Sequence, residues 1–253
     1  MSTISAPLTD SRIMMRRNLK HITRNPVMIF NAAVMPVVLM LLLVYVFGNA
    51  FNVGERYVDY ATPGLIVLAI CYGLAGTAVS VSTDMTKGII NRFKVMNVSR
   101  SAVLTGHVVA TMLISSIAIA VIIGMAFALG FRSSATPLDW LGGIGIAVAA
   151  AFAAAWLTVA LGMAAKTPES AGMAVVPLLL LPFVSSAVVP ADKMGQGIRQ
   201  FAEYQPFTPI IESLRGLLAG TPSGGYAAAA LAWCAGIALL GYLWARATFS
   251  KRA

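Results

Sequence analysis

The residues of this chain that could do chemistry are few, and their spacing matches none of the familiar catalytic sites. The 253 residues include only two histidines, His21 and His107, and two cysteines, Cys71 and Cys234. Two histidines are too few for a metal cluster, and both cysteines stand in long apolar stretches, which favours plain packing over a disulfide or a metal site. The sequence has no GxxxxGKS/T, HExxH, CxxC or GxSxG pattern, so it predicts neither an ATP-binding loop nor a hydrolytic centre in this chain.

Charged residues are confined to short segments that separate six long uncharged runs. Each run holds 22 to 31 residues, and about 20 helical residues cross a hydrocarbon core of about 30 Å. Strands in lipid would leave backbone amides unpaired, so the runs predict helices. We therefore expect an all-α membrane protein with six transmembrane helices, near residues 27–48, 61–83, 102–129, 140–165 and 170–189 and in the last uncharged run, between Arg215 and Arg246.

The cations favour one side of the membrane. The N-terminal segment, the segments around 84–100 and 166–169, and the C-terminal segment hold 13 of the 18 Lys and Arg residues. Because cationic loops stay in the cytoplasm, we expect a multi-pass protein of the inner (plasma) membrane with both termini cytoplasmic. The cations are spread over four segments without interleaved aromatic residues, so no nucleic-acid partner is expected.

No Asp, Glu, Lys or Arg stands near the middle of any of the six predicted spans. Carriers driven by protons or sodium commonly place such residues within the bilayer, where the coupling ion is held and released. The sequence therefore argues against ion coupling. Energy for transport would come from elsewhere, and a cytoplasmic ATPase that docks on the chain would supply it.

Three segments outside the spans have amphipathic patterns. Residues 1–25 predict a cytoplasmic tail with a helix lying among lipid headgroups, ahead of a six-span domain at 26–253; a disordered basic tail is the alternative. Residues 84–97 predict a cytoplasmic coupling helix for a partner, or else a helix that merely lies on lipid. Residues 192–219 predict two short outer helices, either a hairpin that dips into the membrane or a surface loop. Pro63 is expected to mark the start of the second transmembrane helix.

Three stretches carry a resemblance to a known family. They are DMTKGIINRFKVMNVSRSAVLTGH (84–107), LLLLPFVSSAVVPADKM (178–194) and FAEYQPFTPIIESLRGLLAG (201–220). Together they resemble the ABC type-2 transporter permeases, in the branch of daunorubicin- and doxorubicin-resistance membrane proteins of actinobacteria, over essentially the whole chain. In that branch a basic residue is common where His107 stands, an acidic one where Thr111 stands, and Asn where Gln205 stands, so this chain departs from the pattern at those positions.

The resemblance implies a membrane permease of an ATP-driven exporter that moves an amphipathic drug or lipid-like metabolite out of the cell. It implies no cofactor and no metal in this chain, and no ATPase site of its own. Two copies of a separate nucleotide-binding subunit would bind ATP and Mg and dock below a pair of permease chains, expected to be a homodimer. Substrate would pass between the two permeases, and the outer helices would cap the exit.

The resemblance also implies roles for individual residues. An apolar and aromatic lining with a few hydroxyls suits flat amphipathic molecules. The translocation pathway is expected to include Phe30, Met35, Tyr72, Phe183, Ser185 and Ser186, and the outer gate Gln205, Pro206, Glu212 and Arg215. The ATPase-docking surface is expected to include Arg16, Arg17, Asp84, Met85, Lys87, Gly88, Ile89, Arg92 and Phe93.

Two other functions stay open on the sequence alone. An exporter of the same family could carry a glycolipid or a lipid-linked polysaccharide, and a channel wide enough for sugar rings would favour that cargo. A membrane partner of a resistance system, without transport of its own, is the other reading. ATPase activity stimulated by candidate substrates would separate transport from that second role.

Overall fold

The computed structural model describes the backbone of residues 26–48, 50, 53–87 and 100–252, and the side chains within 34–48, 50, 53–87 and 104–249. The interfacial helix expected in 1–25 and most of the coupling helix expected in 84–97 lie outside these ranges. The described elements are α1 (Pro26–Leu41) with a π-helical turn (Leu42–Phe47), α2 (Tyr57–Tyr72), α3 (Leu74–Thr86), α4 (Arg100–Ala128), α5 (Pro137–Ala164), α6 (Pro168–Ala174), α7 (Val176–Leu180), 3-10 turns at Leu181–Val184 and Ala191–Lys193, α8 (Ile198–Tyr204), α9 (Phe207–Leu218) and α10 (Gly224–Arg252).

Every regular element in the described part of the chain is a helix and none is a strand, which confirms the all-α membrane class. Where the first and fifth spans were expected, the structure has the shorter apolar helices Val34–Phe47 and Pro168–Val184. The arrangement of six full spans therefore stays a prediction. Within the described ranges, four helices are long and apolar enough to cross a membrane, namely Tyr57–Thr86, Leu104–Ala128, Pro137–Ala164 and Gly224–Phe249.

The fifth apolar helix is broken and ends before the predicted residue 189. α6 gives way to α7 within one residue, and a 3-10 turn then carries the chain to Val184. Pro177 and Pro182 each lack the N–H that a helix needs, so the hydrogen-bond ladder is interrupted twice. Ser185 leaves the helical conformation, and its hydroxyl donates to the carbonyl of Pro182. Residues 185–190 consequently form a non-helical segment at one end of the bundle.

The second span begins earlier than the sequence indicated. The prediction that Pro63 starts the helix is wrong, because the helix begins at Tyr57 and Pro63 lies inside it. Asp59 occupies the first turn, where a carboxylate is stabilised by the helix dipole. The hydroxyl of Thr62 donates to the carbonyl of Val58 at 2.6 Å, which satisfies one acceptor beside the proline.

The small residues of the fourth and sixth spans serve packing within the chain. α5 packs along α10, and a Cβ at Gly241 would lie 2.6 Å from the backbone nitrogen of Leu157. Such close approach gives helices in lipid the dispersion contacts that hold them together. The rings of Trp156 and Tyr242 meet edge to face at 5.0 Å across the same interface.

The segments that the charge pattern assigns to opposite sides of the membrane lie at opposite ends of the bundle. At one end, which we call the outer end, Asp59 accepts from the backbone N–H of Arg132, and the Ser133 hydroxyl donates to the carbonyl of Leu218. At the other end, which we call the docking end, Leu104, Met163 and Phe249 share one buried apolar cluster. Which of these ends faces the cytoplasm stays a prediction.

Candidate functional site

One buried cation connects three elements at the outer end. The guanidinium of Arg215, on α9, donates to the carbonyl of Ser186 at 2.7 Å and to the carbonyl of Tyr60 at 3.3 Å from both Nε and Nη2. It pairs with Glu212 one turn earlier on α9 and lies 3.9 Å from the centre of the Tyr60 ring. We call Tyr60, Ser186, Glu212 and Arg215 the outer cluster.

The broken fifth helix explains why the outer cluster forms. A helix end leaves carbonyl groups without an intrahelical partner, and side chains must satisfy them when they are buried. The Gln205 amide donates to the carbonyls of Val184 at 2.8 Å and Leu181 at 3.3 Å. The hydroxyl of Tyr60 donates to the carbonyl of Ser186 at 2.9 Å. The non-helical segment is therefore held by donors from α2, α9 and the turn before α9.

Charge at the outer cluster is balanced locally. The Arg215 side chain is only 14% exposed, and a buried charge is tolerated when it is paired and fully hydrogen-bonded. Nearby, burial raises the pKa of the Glu55 carboxyl, and the positive charge of Arg215 opposes that rise. Removal of the guanidinium would thus take away its hydrogen bonds to the carbonyls of Tyr60 and Ser186 and leave the Glu212 carboxylate without its cation.

The outer cluster is reinforced by direct backbone contact. A Cβ added at Gly64 would lie 2.6 Å from the Cα and the carbonyl oxygen of Ala187. Only glycine allows α2 to approach the non-helical segment this closely. Substitution of Gly64 by any residue with a side chain would push the non-helical segment 185–190 away from Arg215.

A second polar pair lies at the docking end. Asp84, in the last turn of α3, places a carboxylate oxygen 3.3 Å from Nε2 of His107 on α4, and both residues are buried. The hydroxyls of Thr77 and Thr111 hydrogen-bond at 2.9 Å across the same two helices. These pairs connect the second span to the third.

The predicted boundary of the coupling helix differs from the structure. α3 continues through Thr86, so residues 84–86 belong to the second span. Within this helix the hydroxyl of Thr83 donates to the carbonyl of Val79 at 2.7 Å. Among the expected docking residues, Asp84 is buried, Met85 is half-buried and Lys87 is exposed. Arg16, Arg17, Gly88, Ile89, Arg92 and Phe93 lie outside the described residues.

Comparison with known proteins gives the family. Residues 9–219 match the ABC-2 type transporter family. The chain belongs to the ABC-2 type transporters. It is 29% identical over 223 residues to a daunorubicin resistance ABC transporter permease protein of Streptomyces coeruleorubidus. The aligned region covers 87% of this chain and 77% of that protein. It is 28% identical over 238 residues to a probable doxorubicin resistance ABC transporter permease protein of Mycobacterium tuberculosis, covering 92% and 85%.

Membership of this family makes the chain the membrane component of an ABC transporter. An ATP-binding partner subunit is part of such systems, in line with the lack of a phosphate-binding loop in this sequence. The resemblance read from the three sequence stretches is confirmed.

The residues expected in the translocation pathway occupy different settings in this ABC-2 permease. Ser185 and Ser186 are buried at the outer cluster, and the Ser186 hydroxyl has no hydrogen-bond partner within the described part of the chain. Phe183 is half-buried, Tyr72 is half-buried and Met35 is 52% exposed. The side chain of Phe30 lies outside the described residues. The assignment of these six residues to a translocation pathway therefore stays a prediction.

The residues expected at the outer gate are brought together more closely. Glu212 and Arg215 both belong to the outer cluster. Gln205 and Pro206 lie just before α9, and the Gln205 amide donates to the carbonyl of Val184 at the end of the broken helix. Sequence reasoning missed the contribution of Tyr60 and the pairing of Asp84 with His107. The sequence did contain a signal for the Asp84–His107 pair. An Asp ends one span and a His stands near the start of the next, in a chain with very few residues of either type.

Proposed function

We propose that this permease exports amphipathic drug-like or lipid-like molecules across the plasma membrane, as a homodimer driven by two copies of an ATPase subunit. The observation that carries the proposal is the match along 87% of the chain to a daunorubicin resistance permease. The lack of an ATP-binding loop in the sequence supports a separate ATPase. On this proposal both termini and residues 84–100 face the cytoplasm, and ATP and Mg bind only in the partner.

Two exposed apolar stripes support a dimer of permease chains. On the first helix the side chains of Met35, Val38 and Leu42 are 52%, 50% and 43% exposed. On the fifth, Met173 and Leu180 are 70% and 55% exposed. Both stripes lie on elements that the family resemblance assigns to the substrate path between two chains. A second copy of the chain placed there would bury these side chains and enclose a pathway at the dimer axis.

The ATPase would dock beside the Asp84–His107 pair. Residues 88–99 follow α3 directly, so a subunit bound there acts first on the end of the second span. The pair joins that end to α4, and the outer cluster joins the start of α2 to α9. A movement imposed on α3 would therefore reach the exit through one continuous span, Tyr57–Thr86.

Transport in inside-out vesicles tests the proposal. Vesicles with the permease and its ATPase should accumulate a cationic amphipathic dye when ATP is added, and they should do so when the proton gradient is collapsed. An ATPase variant without its phosphate-loop lysine should abolish uptake. Uptake driven by a pH gradient without ATP would contradict the proposal, as would dye-stimulated ATPase activity without any movement of dye.

A further inference from the structure

An apolar pocket lies inside the single chain, between the second and fourth spans, the broken fifth helix, α9 and α10. Its volume is about 150 Å³, and the surface that its wall exposes is entirely apolar. None of the side chains in the exposed stripes of the proposed dimer lines it. Protein interiors are packed so closely that voids larger than a water molecule are few. A space of this size within one chain is therefore a candidate binding site.

Small side chains from three helices keep the floor of the pocket open. Cys71 of α2, Ala150 and Ala153 of α5, and Cys234 of α10 line the pocket, and all four are buried. A larger residue at any of these positions would occupy part of the space. Atoms that line an empty space lose dispersion contacts, so an unfilled pocket lowers the stability of the fold. A guest of matching shape would restore those contacts.

The rim of the pocket is apolar and half-buried. It includes Leu157 of α5, Leu178 and Leu181 of the broken fifth helix, Phe207 of α9 and Ile237 of α10. Ile237 stands near the middle of the span Gly224–Phe249, so this side of the pocket faces hydrocarbon. The described lining carries no charged side chain, and a charged guest would lose its hydration without gaining a partner. The rim therefore admits an uncharged apolar molecule that is dissolved in the lipid.

Two features of the wall favour an aromatic guest over an alkyl chain. Cys71 and Cys234, the two cysteines of the chain, line the pocket from different helices. Sulfur is polarizable and makes favourable contacts with aromatic rings. Phe207 adds an aromatic side chain at the rim, and aromatic pairs are stabilised beyond the area that they bury. Since an apolar cavity of about 150 Å³ holds a molecule the size of benzene, the volume limits the guest to a single ring.

We propose that each permease chain binds one small, uncharged aromatic ring in this pocket, in contact with the thiols of Cys71 and Cys234. The ring enters from the surrounding lipid across the half-buried rim. Once bound, it contacts α2, α5, α9 and α10 together and stabilises the packing of these four helices. The site lies within one chain and is separate from the pathway proposed between two chains, so neither inference depends on the other.

Anomalous diffraction tests whether the ring occupies the pocket. Crystals of the full-length permease grown in a lipid mesophase are soaked with iodobenzene, whose iodine scatters anomalously. An ordered iodine peak is expected beside Cys71 and Cys234. Ala153→Leu places a larger side chain in the pocket and should remove the peak, whereas Ala235→Leu, at an exposed position of α10, should keep it. A wild-type pocket without the peak would overturn the proposal, as would a peak that persists in Ala153→Leu or a lipid chain that fills the pocket instead.

Thermal unfolding in detergent tests the affinity and the choice of an aromatic guest. Benzene should raise the Tm of the wild-type chain as its concentration rises, because the pocket exists only in the folded state. Cyclohexane is similar in size but has no π system, and it should bind roughly two- to tenfold more weakly. Ala153→Leu, whose pocket is filled, reports how each solvent acts on the micelle and should bind benzene about tenfold more weakly or worse. An equal effect of benzene on both chains would contradict the proposal.

The double change Cys71→Ala with Cys234→Ala isolates the contribution of the thiols. It leaves the pocket open and removes both sulfur atoms, so benzene and cyclohexane should both bind while the preference for benzene largely disappears. This comparison does not depend on the folding of Ala153→Leu. A preference for benzene that survives without the thiols would overturn their assigned role, and a wild-type chain that binds cyclohexane as tightly as benzene would overturn the choice of an aromatic ring.

Discussion

The two ends of the bundle are held in different ways. At the outer end Arg215 and Gln205 bond the carbonyls of the broken fifth helix, and a glycine contact presses α2 against the same segment. At the docking end α3 and α4 are joined by the Asp84–His107 pair and the Thr77–Thr111 hydrogen bond. The outer end thus depends on one cation shared by several acceptors, and the docking end on pairs between two neighbouring helices.

The difference bears on which end can move. A shared cation must lose several partners at once before the outer segment separates, so that end resists small displacements. Beside the docking-end pairs, the buried hydroxyls of Ser82 and Ser115 have no hydrogen-bond partner within the described residues. Such hydroxyls can take new partners when α3 slides along α4. We therefore expect movement to begin at the docking end and the exit to open only when the outer cluster is disrupted.

The largest effect is expected from Arg215→Met. The change removes three hydrogen bonds from the guanidinium to the carbonyls of Tyr60 and Ser186 and leaves the Glu212 carboxylate without its cation, and hydrogen bonds that involve a charged group contribute about 1.5–3 kcal/mol each. Thermal unfolding in detergent should show a large decrease in Tm, and transport should be lost. Arg199→Gln breaks an exposed pair of the same type and serves as the control, with little change expected. A wild-type Tm for Arg215→Met would show that the outer cluster does not hold the bundle.

The double change Ile89→Ala with Phe93→Ala tests the docking side. Both residues are expected in the ATPase-docking surface, and burial of each large apolar side chain contributes roughly 1.5–3 kcal/mol. Even half of that would weaken ATPase binding about tenfold or more. Affinity can be measured by titrating the ATPase onto the permease in nanodiscs. Lys87→Gln, at an exposed position just before the segment, is the control. Unchanged affinity of the double variant would place the docking surface elsewhere.

Much of the fold was accessible from charge and hydropathy alone. Uncharged runs locate helices because lipid excludes charged side chains and unpaired backbone groups, and these physical rules act on each segment separately. The early start at Tyr57 was missed because Pro63 looks like a first-turn residue, while the signals that decide the boundary, Asp59 and Thr62, are weak in isolation.

The candidate sites depend on contacts between distant segments, which periodicity does not report. Glu212 and Arg215 could be selected as a pair on one helix, since they lie three residues apart. Their partners Tyr60 and Ser186 come from other elements and act partly through backbone carbonyls, which leave no trace in a sequence. The break of the fifth helix was signalled by Pro177 and Pro182, but an apolar run of sufficient length concealed it.

Gly64→Ala tests the backbone contact at the outer end. The new Cβ would lie 2.6 Å from the backbone of Ala187, where no flexible side chain can yield, and such overpacking costs about 1–3 kcal/mol. Thermal unfolding should show a smaller decrease in Tm than for Arg215→Met. Gly145→Ala is the matched control, because a Cβ there meets nothing within 4 Å and alanine favours the helix. If both variants unfold at the same temperature, the close contact of α2 with the 185–190 segment is not required.

The smallest effect on stability, and the most specific effect on coupling, is expected for the Asp84–His107 pair. Asp84→Asn and His107→Gln keep the approximate shapes of the side chains and remove their charge-assisted contact. A double-mutant cycle should give a coupling energy of about 0.5–3 kcal/mol, as for other groups in contact. Each single variant should hydrolyse ATP with its partner but move less substrate per ATP, because the end of α3 no longer carries α4 with it. Thr86→Ala, at an exposed position two residues away, is the control and should leave the ratio unchanged. Additive effects of the two substitutions, with a normal ratio of transport to hydrolysis, would mean that Asp84 and His107 do not act together and that the ATPase reaches α4 by another route.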